Sequence, residues 1–199
     1  MAMIGDKIVF DRYEWRVLDV REDAALLITD KILGVRAYHD AYMDTTWADC
    51  EMRRYLNGAF FEKFNEASRA KIVPVVNQNL NNHWYGTHGG VETEDRVFLL
   101  SLEEAVCKYF GDSGKLLHNR GETTYWFQRK DKNNFRRAAT CVNGGGWWWW
   151  LRSPGRLNVK AVYVWGNGNI GIQGNNILLG NVGDACPLGG VRPALWVRL

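Results

Sequence analysis

Residues 144–155 read GGGWWWWLRSPG, so three glycines stand directly before four tryptophans. Glycine leaves the backbone least constrained, whereas each tryptophan ring buries about 150–250 Å² when it packs. The four rings therefore serve either the core of the fold or an exposed recognition surface. Residues 141–199 contain no helix signature, and we expect this C-terminal third of the chain to be all β.

A β-hairpin is predicted shortly after this stretch. Residues 161–165 (AVYVW) and 169–173 (NIGIQ) are β-prone runs, and GNG at 166–168 separates them. Asn-Gly sequences tolerate the positive φ that tight hairpins need, so this tripeptide predicts the turn. Residues 191–199 alternate apolar and polar side chains. This alternation predicts a strand packed on one face, with Pro193 at an edge or a bulge.

The rest of the chain predicts an α+β fold. Short β-prone runs predict an antiparallel meander near the N-terminus, and amphipathic segments that follow capping residues predict helices. The predicted strands cover residues 8–10, 14–20, 24–29 and 96–100. One predicted helix follows the capping box at 46–49, a second covers residues 60–72, and a third covers residues 101–110 and begins with a capping box of Ser101 and Glu104. Residues 112–134 are polar and broken, which predicts a long surface insertion. No Pro- or Ser-rich linker divides the chain, so we expect residues 1–199 to form a single domain of antiparallel sheets with two or three helices.

Composition excludes several classes of partner. The chain of 199 residues has a net charge of +3, and its lysines and arginines are scattered among acidic residues. Without a basic stripe, no nucleic-acid partner is expected. The N-terminus lacks the basic and apolar regions of a signal peptide, and no apolar run approaches the ~18 residues of a membrane helix. We therefore expect no membrane insertion and a virion-associated or cytoplasmic protein.

The segment between Arg156 and Gly183 has an unusual composition. It contains six asparagines and no acidic residue, and Arg156 and Lys160 carry its charges. One interpretation is a series of Gly- and Asn-rich turns between short strands. The other is a recognition face in which adaptable polar side chains surround rigid aromatic rings, as in antibody paratopes.

The cysteines and histidines do not follow a catalytic or metal-binding pattern. The four cysteines, at positions 50, 107, 141 and 186, form no CxxC pair. Buried, reduced thiols are expected, with a disulfide between Cys141 and Cys186 as the alternative. His83 and His88 share a loop without the i, i+4 spacing of a helical metal pair, so we expect solvated histidines. We therefore predict no metal, no cofactor and no catalytic residue.

Two C-terminal motifs are specific: WWLRSPG at 149–155 and GVRPAL at 190–195. Weaker ones are WRVLD at 15–19, TW at 46–47 leading to RRYLN at 53–57, and VFLLS at 97–101. Together these motifs resemble a bacterial and phage family of unassigned function that has a C-type-lectin-like fold. That family is similar to the variable proteins of diversity-generating retroelements, and its fold resembles that of the formylglycine-generating enzyme.

The resemblance implies a central position for the tryptophan-rich segment. Residues 149–155 would enter a central strand of a C-terminal sheet, with Trp149 and Trp150 in the core or supporting it. Trp147 or Trp148 would then either project onto the ligand face or join the core. Arg152 and Arg192 are flanked by apolar residues inside the motifs, and we expect structural arginines with backbone or carboxylate partners.

The resemblance also implies a function. In retroelement systems a reverse transcriptase randomises adenines, so the AAY codons of asparagine become sites of substitution. Residues 141–199 would carry a variable, solvent-facing surface for a protein or glycan ligand at a cell surface. The expected ligand-binding residues are Trp147, Arg156, Asn158, Lys160, Tyr163, Trp165, Asn167, Asn169, Gln173 and Asn175, with Tyr163 and Trp165 as anchors. The alternative is a formylglycine-generating, sulfatase-modifying-type oxidase, whose closely spaced copper-binding cysteines this chain lacks.

Overall fold

The computed structural model describes residues 2–181 and 187–199, and two five-stranded sheets form its framework. In order across the first sheet, the strands are β1 (Lys7–Phe10), β2 (Tyr13–Val20), β3 (Ala24–Thr29), β12 (Ala194–Arg198) and β5 (Ile72–Val73). Across the second sheet they are β10 (Ile170–Asn176), β9 (Lys160–Val164), β8 (Trp149–Pro154), β11 (Gly189–Val191) and β4 (Gly34–Arg36). A small third sheet pairs β6 (Val75–Asn77) with β7 (Thr93–Asp95).

The helices are short. The α-helices are α1 (Glu51–Tyr55), α2 (Glu66–Lys71), α3 (Gly114–His118) and α4 (Asn134–Arg137). Turns of π-helix cover Leu56–Phe60 and Glu104–Lys108, and 3-10 turns cover Phe61–Lys63 and Trp126–Gln128. None of the described helices has the length and apolar character that a membrane span requires. The fold therefore mixes few helices with mostly antiparallel sheets, as predicted, and the described part of residues 141–199 contains no helix.

The predicted N-terminal meander is confirmed. β2 pairs antiparallel with both β1 and β3, with a register shift between Val17 and Asp19. All of β3 is buried, because it lies between β2 and the C-terminal strand β12. The first sheet therefore joins both ends of the chain.

The tryptophan-rich segment lies in the centre of the second sheet. β8 pairs antiparallel with β9 and parallel with β11, and all its residues are buried. The predicted strand over residues 191–199 is wrong in one respect. The chain leaves the second sheet after Val191 and enters the first at Ala194, so Pro193 lies between two strands, where its missing N–H removes no ladder hydrogen bond.

The strand predicted over residues 96–100 is also wrong. Only Phe98 forms a β-bridge, to Ala194. Side chains bind most of the backbone here: the Asn57 amide donates to the carbonyl of Val97 at 2.9 Å, and the Arg152 guanidinium donates to that of Leu99 at 2.8 Å. The apolar run is a buried extended segment whose backbone is satisfied by these side chains and by backbone hydrogen bonds of Phe98 with Ala194 and of Leu100 with Arg152.

Two predicted helices begin elsewhere. The residues at 46–49 do not cap α1, because Cys50 takes that position and its Sγ accepts a hydrogen bond from the Arg53 amide at 3.4 Å. The helix predicted over residues 60–72 is interrupted by extended backbone at Phe64. Asn65 then caps α2, with its Oδ1 accepting from the Ser68 amide at 2.8 Å.

The segment predicted as a surface insertion, residues 112–134, contributes to the core. Leu117 and Trp126 are buried, and the Trp126 ring stacks on that of Trp84 with 5.7 Å between centroids. The Trp126 Nε1 donates to the carboxylate of the buried Asp131 at 3.2 Å. The polar composition of this segment predicted exposure, but Leu117 and Trp126 pack it against the loop around Trp84.

Candidate functional site

The four tryptophans of the GGGWWWW stretch lie in β8 and directly before it, and they belong largely to the core. Trp148, Trp149 and Trp150 are buried. The rings of Trp148 and Trp150 meet edge to face on one side, 4.6 Å apart. On the other side, the Trp149 Nε1 donates to the backbone carbonyl of Arg137 at 3.1 Å, and the Arg192 guanidinium lies 5.0 Å from its ring. The prediction that Trp149 and Trp150 build the scaffold is confirmed.

Tyr163 is not the exposed anchor that the sequence predicted. The residue is 1% exposed, and its ring packs edge to face against both Trp148 and Trp165. Tyr163 pairs across the strands with Gly171, where any side chain would meet the tyrosine ring at 2.1 Å. The glycine makes room for the ring, and the ring covers the glycine backbone. Tyr163 therefore belongs to the frame.

Asn169 and Asn175 were also predicted to face a ligand, and this prediction of exposure is wrong. Each is 9% exposed. Asn169 closes the hairpin turn, since its carbonyl accepts from the Trp165 amide at 2.7 Å. Asn175 lies in β10 opposite Ala161. For these two asparagines the turn-and-strand interpretation holds, because their positions are fixed by backbone pairing.

The predicted hairpin is confirmed, and its tip leaves three predicted site residues accessible. Asn167 is exposed, and Trp165 and Trp147 are half-buried. The turn uses a positive φ of 82° at Gly168. The Trp147 Nε1 donates to the carbonyl of Leu188 at 3.1 Å. These rings are held in place while part of their surface faces solvent.

Asn158 has a structural contact of its own. Its side-chain amide donates to the carbonyl of His88 at 2.9 Å, and the residue is half-buried. Asn158 therefore ties the start of β9 to the loop at residues 82–90.

Three of the predicted residues, Arg156, Lys160 and Gln173, line one cleft of about 670 Å³. This volume lies within the range of roughly 300–1,000 Å³ that small-molecule sites occupy. The lining residues are Tyr85, Arg120, Thr124, Tyr125, Arg156, Leu157, Lys160 and Gln173. None of these described lining residues is acidic, so the wall combines positive charge with aromatic rings and hydroxyl groups.

The wall of the cleft opposite the sheet is held by hydrogen bonds. Arg120 donates to the carbonyls of Trp84 at 2.8 Å and Thr123 at 2.9 Å, and its guanidinium lies 5.1 Å from the Tyr85 ring centroid. The Tyr85 hydroxyl donates to the carbonyl of Thr124 at 3.3 Å. This wall is therefore held by the chain's own hydrogen bonds.

The cations on the sheet side are held by their backbone alone. The Arg156 amide donates to the Gln173 carbonyl at 2.8 Å, and the Arg156 carbonyl accepts from the Thr87 hydroxyl at 2.8 Å. The Lys160 amide donates to the carbonyl of Leu157 at 2.9 Å. Neither cationic side chain forms a hydrogen bond or an ion pair with any residue in the described part of the chain. Both charges are available to a ligand.

Sequence reasoning missed Tyr85, Arg120 and Tyr125, which complete the cleft. They come from segments predicted as a loop and as a surface insertion. One signal was present: aromatic residues stand beside glycine-containing polar runs, in NHWYG at 82–86 and in RGETTYW at 120–126. What the sequence could not supply was the contact that brings these segments beside β9 and β10.

The expected structural role of Arg152 and Arg192 is confirmed. Arg152 is 3% exposed and contacts both carboxylate oxygens of Glu104, at 2.6 and 3.0 Å. Glu104 also completes the predicted capping box with Ser101, whose amide donates to the carboxylate at 2.8 Å. Arg192 donates from Nε to the carbonyl of Thr29 at 3.0 Å. Both arginines connect separate parts of the core.

Two histidines that the sequence did not associate lie together. Nε2 of His83 is 2.8 Å from Oε2 of Glu103, and Nε2 of His118 is 3.6 Å from Oε1 of the same carboxylate. His88, the loop partner of His83 in the sequence, is outside this group. The prediction of no metal was based on the spacing of His83 and His88. It did not consider His83 together with His118, which the fold brings close to each other.

Cys50 is not paired with another cysteine in the part of the chain that the structure describes. This residue is buried, and burial raises the pKa of its thiol to about 12, so the thiol stays protonated at neutral pH. Burial, together with the Glu103 carboxylate, likewise raises the pKa of Cys107 to about 12. Cys186 lies outside the described residues, so the predicted alternative of a disulfide between Cys141 and Cys186 also falls outside the part of the chain that the structure describes.

Comparison with known proteins identifies a family. A search of curated proteins and a search of solved structures each gave no match. Residues 22–199 match the model of a family described as a domain of unknown function, DUF6273. Because this match covers most of the chain, the protein belongs to the DUF6273 family.

Proposed function

We propose that this protein is a non-enzymatic recognition module that binds an anionic protein or glycan ligand at a cell surface. The site is the cleft between the second sheet and the segment around Arg120. The observation that carries the proposal is the pair of unpartnered cations, Arg156 and Lys160, in a preformed cleft without acidic lining among the described residues.

Electrostatics favours an anionic ligand. Arg120, Arg156 and Lys160 line one space, so their like charges oppose one another until a negative group enters. A carboxylate can accept two parallel hydrogen bonds from an arginine guanidinium, which gives geometric specificity as well as attraction. Since Arg120 is already fixed by its hydrogen bonds to backbone carbonyls, binding loses little of its side-chain entropy.

The remaining wall offers contact area and hydrogen bonds. Tyr85 and Tyr125 contribute rings with few rotatable bonds, and the Tyr125 ring stacks on Phe127 with 5.4 Å between centroids. Rigid aromatic rings supply contact area at low entropic cost. Gln173 adds an amide, of which Nε2 donates to the Tyr163 hydroxyl at 3.3 Å while the carbonyl oxygen remains an acceptor.

The sequence resemblance supports a C-type-lectin-like scaffold and diversification by a retroelement. In this proposal, the frame and the variable surface use different side chains. The variable set comprises the predicted residues that reach solvent, namely Trp147, Arg156, Lys160, Trp165, Asn167 and Gln173, whereas Asn158 connects two segments of the frame. A near-identical repeat of the coding sequence beside the gene, differing only at adenines, would support diversification. Its absence would remove the retroelement and leave the binding proposal standing.

Calorimetric titration tests the binding proposal. The probes are a glutamate hexapeptide, a galacturonate hexamer and, as the neutral control, a galactose hexamer. We expect at least one anionic hexamer to bind, with an affinity that falls as salt rises because ion pairs at an open cleft are screened. Which hexamer binds distinguishes a protein-like from a glycan-like ligand. Equal binding of the neutral hexamer, or binding of none, contradicts the proposal.

A matched pair of double variants assigns the binding to the cleft. Arg156→Ala with Lys160→Ala removes both unpartnered charges, and we expect this variant to lose at least about tenfold in affinity. Lys115→Ala with Lys132→Ala removes the same charge from exposed positions outside the cleft. The second variant should bind as the wild type does. If both variants lose affinity equally, net charge and not the cleft determines binding.

A further inference from the structure

The group of His83, Glu103 and His118 joins three separate segments of the chain. His83 lies in the loop at residues 82–90, Glu103 in the first turn after Ser101, and His118 at the end of α3. One ligand atom from each residue lies within 4.8 Å of the other two. The two imidazole rings meet edge to face with 4.9 Å between centroids. The Glu103 carboxylate stands between their Nε2 atoms.

Buried neighbours hold the backbone segments of both histidines in position. His83 lies between Asn82 and Trp84, both buried, and the Trp84 Nε1 donates to the carbonyl of Leu117 at 2.9 Å. Leu117 is itself buried and directly precedes His118. The single hydrogen bond from Trp84 therefore fixes the segments of both histidines relative to each other. Such support by neighbouring groups is what keeps metal ligands in a productive geometry.

The asparagine before His83 strengthens this arrangement. The Asn82 amide donates to the carbonyls of Pro154 at 2.8 Å and Ile172 at 3.0 Å, and its Oδ1 accepts from the Trp84 amide at 2.9 Å. The backbone that carries His83 is thereby attached to two strands of the second sheet.

The Glu103 carboxylate joins the two histidines. Its Oε2 is shielded from solvent and lies 2.8 Å from Nε2 of His83, a distance at which a protonated Nε2 donates a hydrogen bond to the carboxylate. A metal ion bound to His83 takes the place of that proton, because the imidazole nitrogen that binds a metal is unprotonated.

We propose that His83, Glu103 and His118 bind one zinc ion through two imidazole nitrogens and a carboxylate oxygen. Two atoms bound to a tetrahedral zinc at about 2.1 Å lie roughly 3.4 Å apart. The distance of 3.6 Å between Nε2 of His118 and Oε1 of Glu103 is close to this value. The distance of 2.8 Å between Nε2 of His83 and Oε2 of Glu103 would lengthen by about 0.6 Å if both atoms bound the ion. The side chains of His83 and His118 are 28% and 52% exposed, so the ion has an entry path and a fourth position open to solvent.

The donor set favours zinc over the hard cations. Calcium and magnesium take six or more oxygen ligands or retain several waters, whereas imidazole suits zinc and the later transition metals. The Cys107 thiol is not among the ligand atoms that lie within 4.8 Å of one another, so the ligand set is two histidines and one glutamate.

Zinc at this position would stabilise one wall of the cleft. Tyr85 follows His83 by two residues, and Arg120 follows His118 by two residues, and both line the cleft. A zinc ion that joins the two histidines therefore restrains both segments. The zinc site itself does not depend on the proposed ligand, and zinc binding can be measured without one.

The test is a titration of the metal-free full chain with zinc chloride at neutral pH, in competition with a chromophoric chelator. We expect one zinc per chain, with affinity reduced at least about 10- to 100-fold in His83→Gln and in His118→Gln. His88→Gln is the matched control, since His88 lies in the same loop outside the group. Calcium chloride should not compete.

Several results would overturn the inference. If the wild-type protein binds no zinc, the inference is wrong. If His83→Gln and His118→Gln both bind zinc as tightly as the wild type does, the ion lies elsewhere. If His88→Gln loses as much affinity as they do, the effect is non-specific. Glu103→Gln keeps the shape but loses the charge, and should weaken zinc binding while leaving the far-ultraviolet circular dichroism unchanged. Cobalt substitution gives a second readout, because a four-coordinate site gives intense visible absorption that His118→Gln should lose.

Discussion

The ion pair between Arg152 and Glu104 connects the second sheet to the helix that begins after Ser101. Replacing Glu104 by glutamine keeps the side-chain shape and an oxygen that can still accept from the Ser101 amide. The substitution turns an NH₂ group or a neutral oxygen toward the guanidinium and leaves a buried charge without its partner. Arg152 still reaches the carbonyl of Leu99 at 2.8 Å, so part of its hydrogen bonding survives.

The expected loss follows from burial. The Arg152 side chain is 3% exposed and that of Glu104 21% exposed. Breaking a buried pair by removing one partner costs about 3–5 kcal/mol. Because Glu104 retains some contact with solvent, we expect the lower end, about 3 kcal/mol. For a chain of this size that loss corresponds to a melting temperature lower by roughly 6–12 °C.

The effect should depend on pH with a definite sign. Burial by itself raises the pKa of Glu104, but the charge and hydrogen bonds of Arg152 outweigh it and lower the pKa overall. A lowered pKa contributes stability above the unfolded value of about 4.3 and loses it as pH falls through the folded value. The difference between wild type and Glu104→Gln should therefore be largest near pH 7 and shrink below about pH 4.

Urea denaturation at pH 7 and at pH 3.5, followed by tryptophan fluorescence, measures both quantities. Glu62→Gln is the matched control, since Glu62 is exposed and has no hydrogen bond or ion pair with the described residues. It should change the free energy of unfolding by less than about 0.5 kcal/mol. If Glu104→Gln costs no more than Glu62→Gln at pH 7, the ion pair does not stabilise the fold and the reasoning fails.

Three further predictions concern the frame. Gly171→Ala should lower the free energy of unfolding by at least about 1–3 kcal/mol, because the new methyl group meets the Tyr163 ring. Gly145→Ala is the control, since no atom lies within 4 Å of the added methyl group, and it should cost under about 1 kcal/mol. Chemical denaturation measures both variants. Asn82→Ala should cost at least about 2 kcal/mol in the same assay, since it leaves two buried carbonyls without their donor. Iodoacetamide should leave Cys50 unmodified in native protein at pH 8 and modify it after unfolding, as peptide mass mapping would detect; rapid native labelling would contradict its burial and its pKa of about 12.

Local signals in the sequence predicted the frame well. The hairpin with GNG at 166–168 and the meander of β1, β2 and β3 are β-prone runs separated by turn or polar residues, and both are confirmed. The Ser101 and Glu104 capping box is likewise confirmed, because both partners lie within one turn of helix. Each of these elements is determined by residues close together in the chain.

The sequence predictions were wrong where contacts between residues far apart in the chain determine the structure. The apolar run at 96–100 predicted a strand, but side chains from Asn57 and Arg152 bind its backbone instead. Tyr163 was predicted to be exposed because of the composition of the segment around it. The strand register places it instead against Gly171 and between two tryptophans. The pairing of His83 with His118 likewise required the fold, because no local pattern relates them.

The central claim is that ligand contact and structural support belong to different side chains of the second sheet. The most direct measurement is a titration of ¹⁵N-labelled protein with the anionic hexamer that binds, followed by amide chemical shifts. We expect shifts at Arg120, Arg156, Lys160 and Gln173, and none of comparable size at Trp149 in the strand core. Shifts concentrated outside the cleft, or an unperturbed spectrum at saturating hexamer, would contradict the claim.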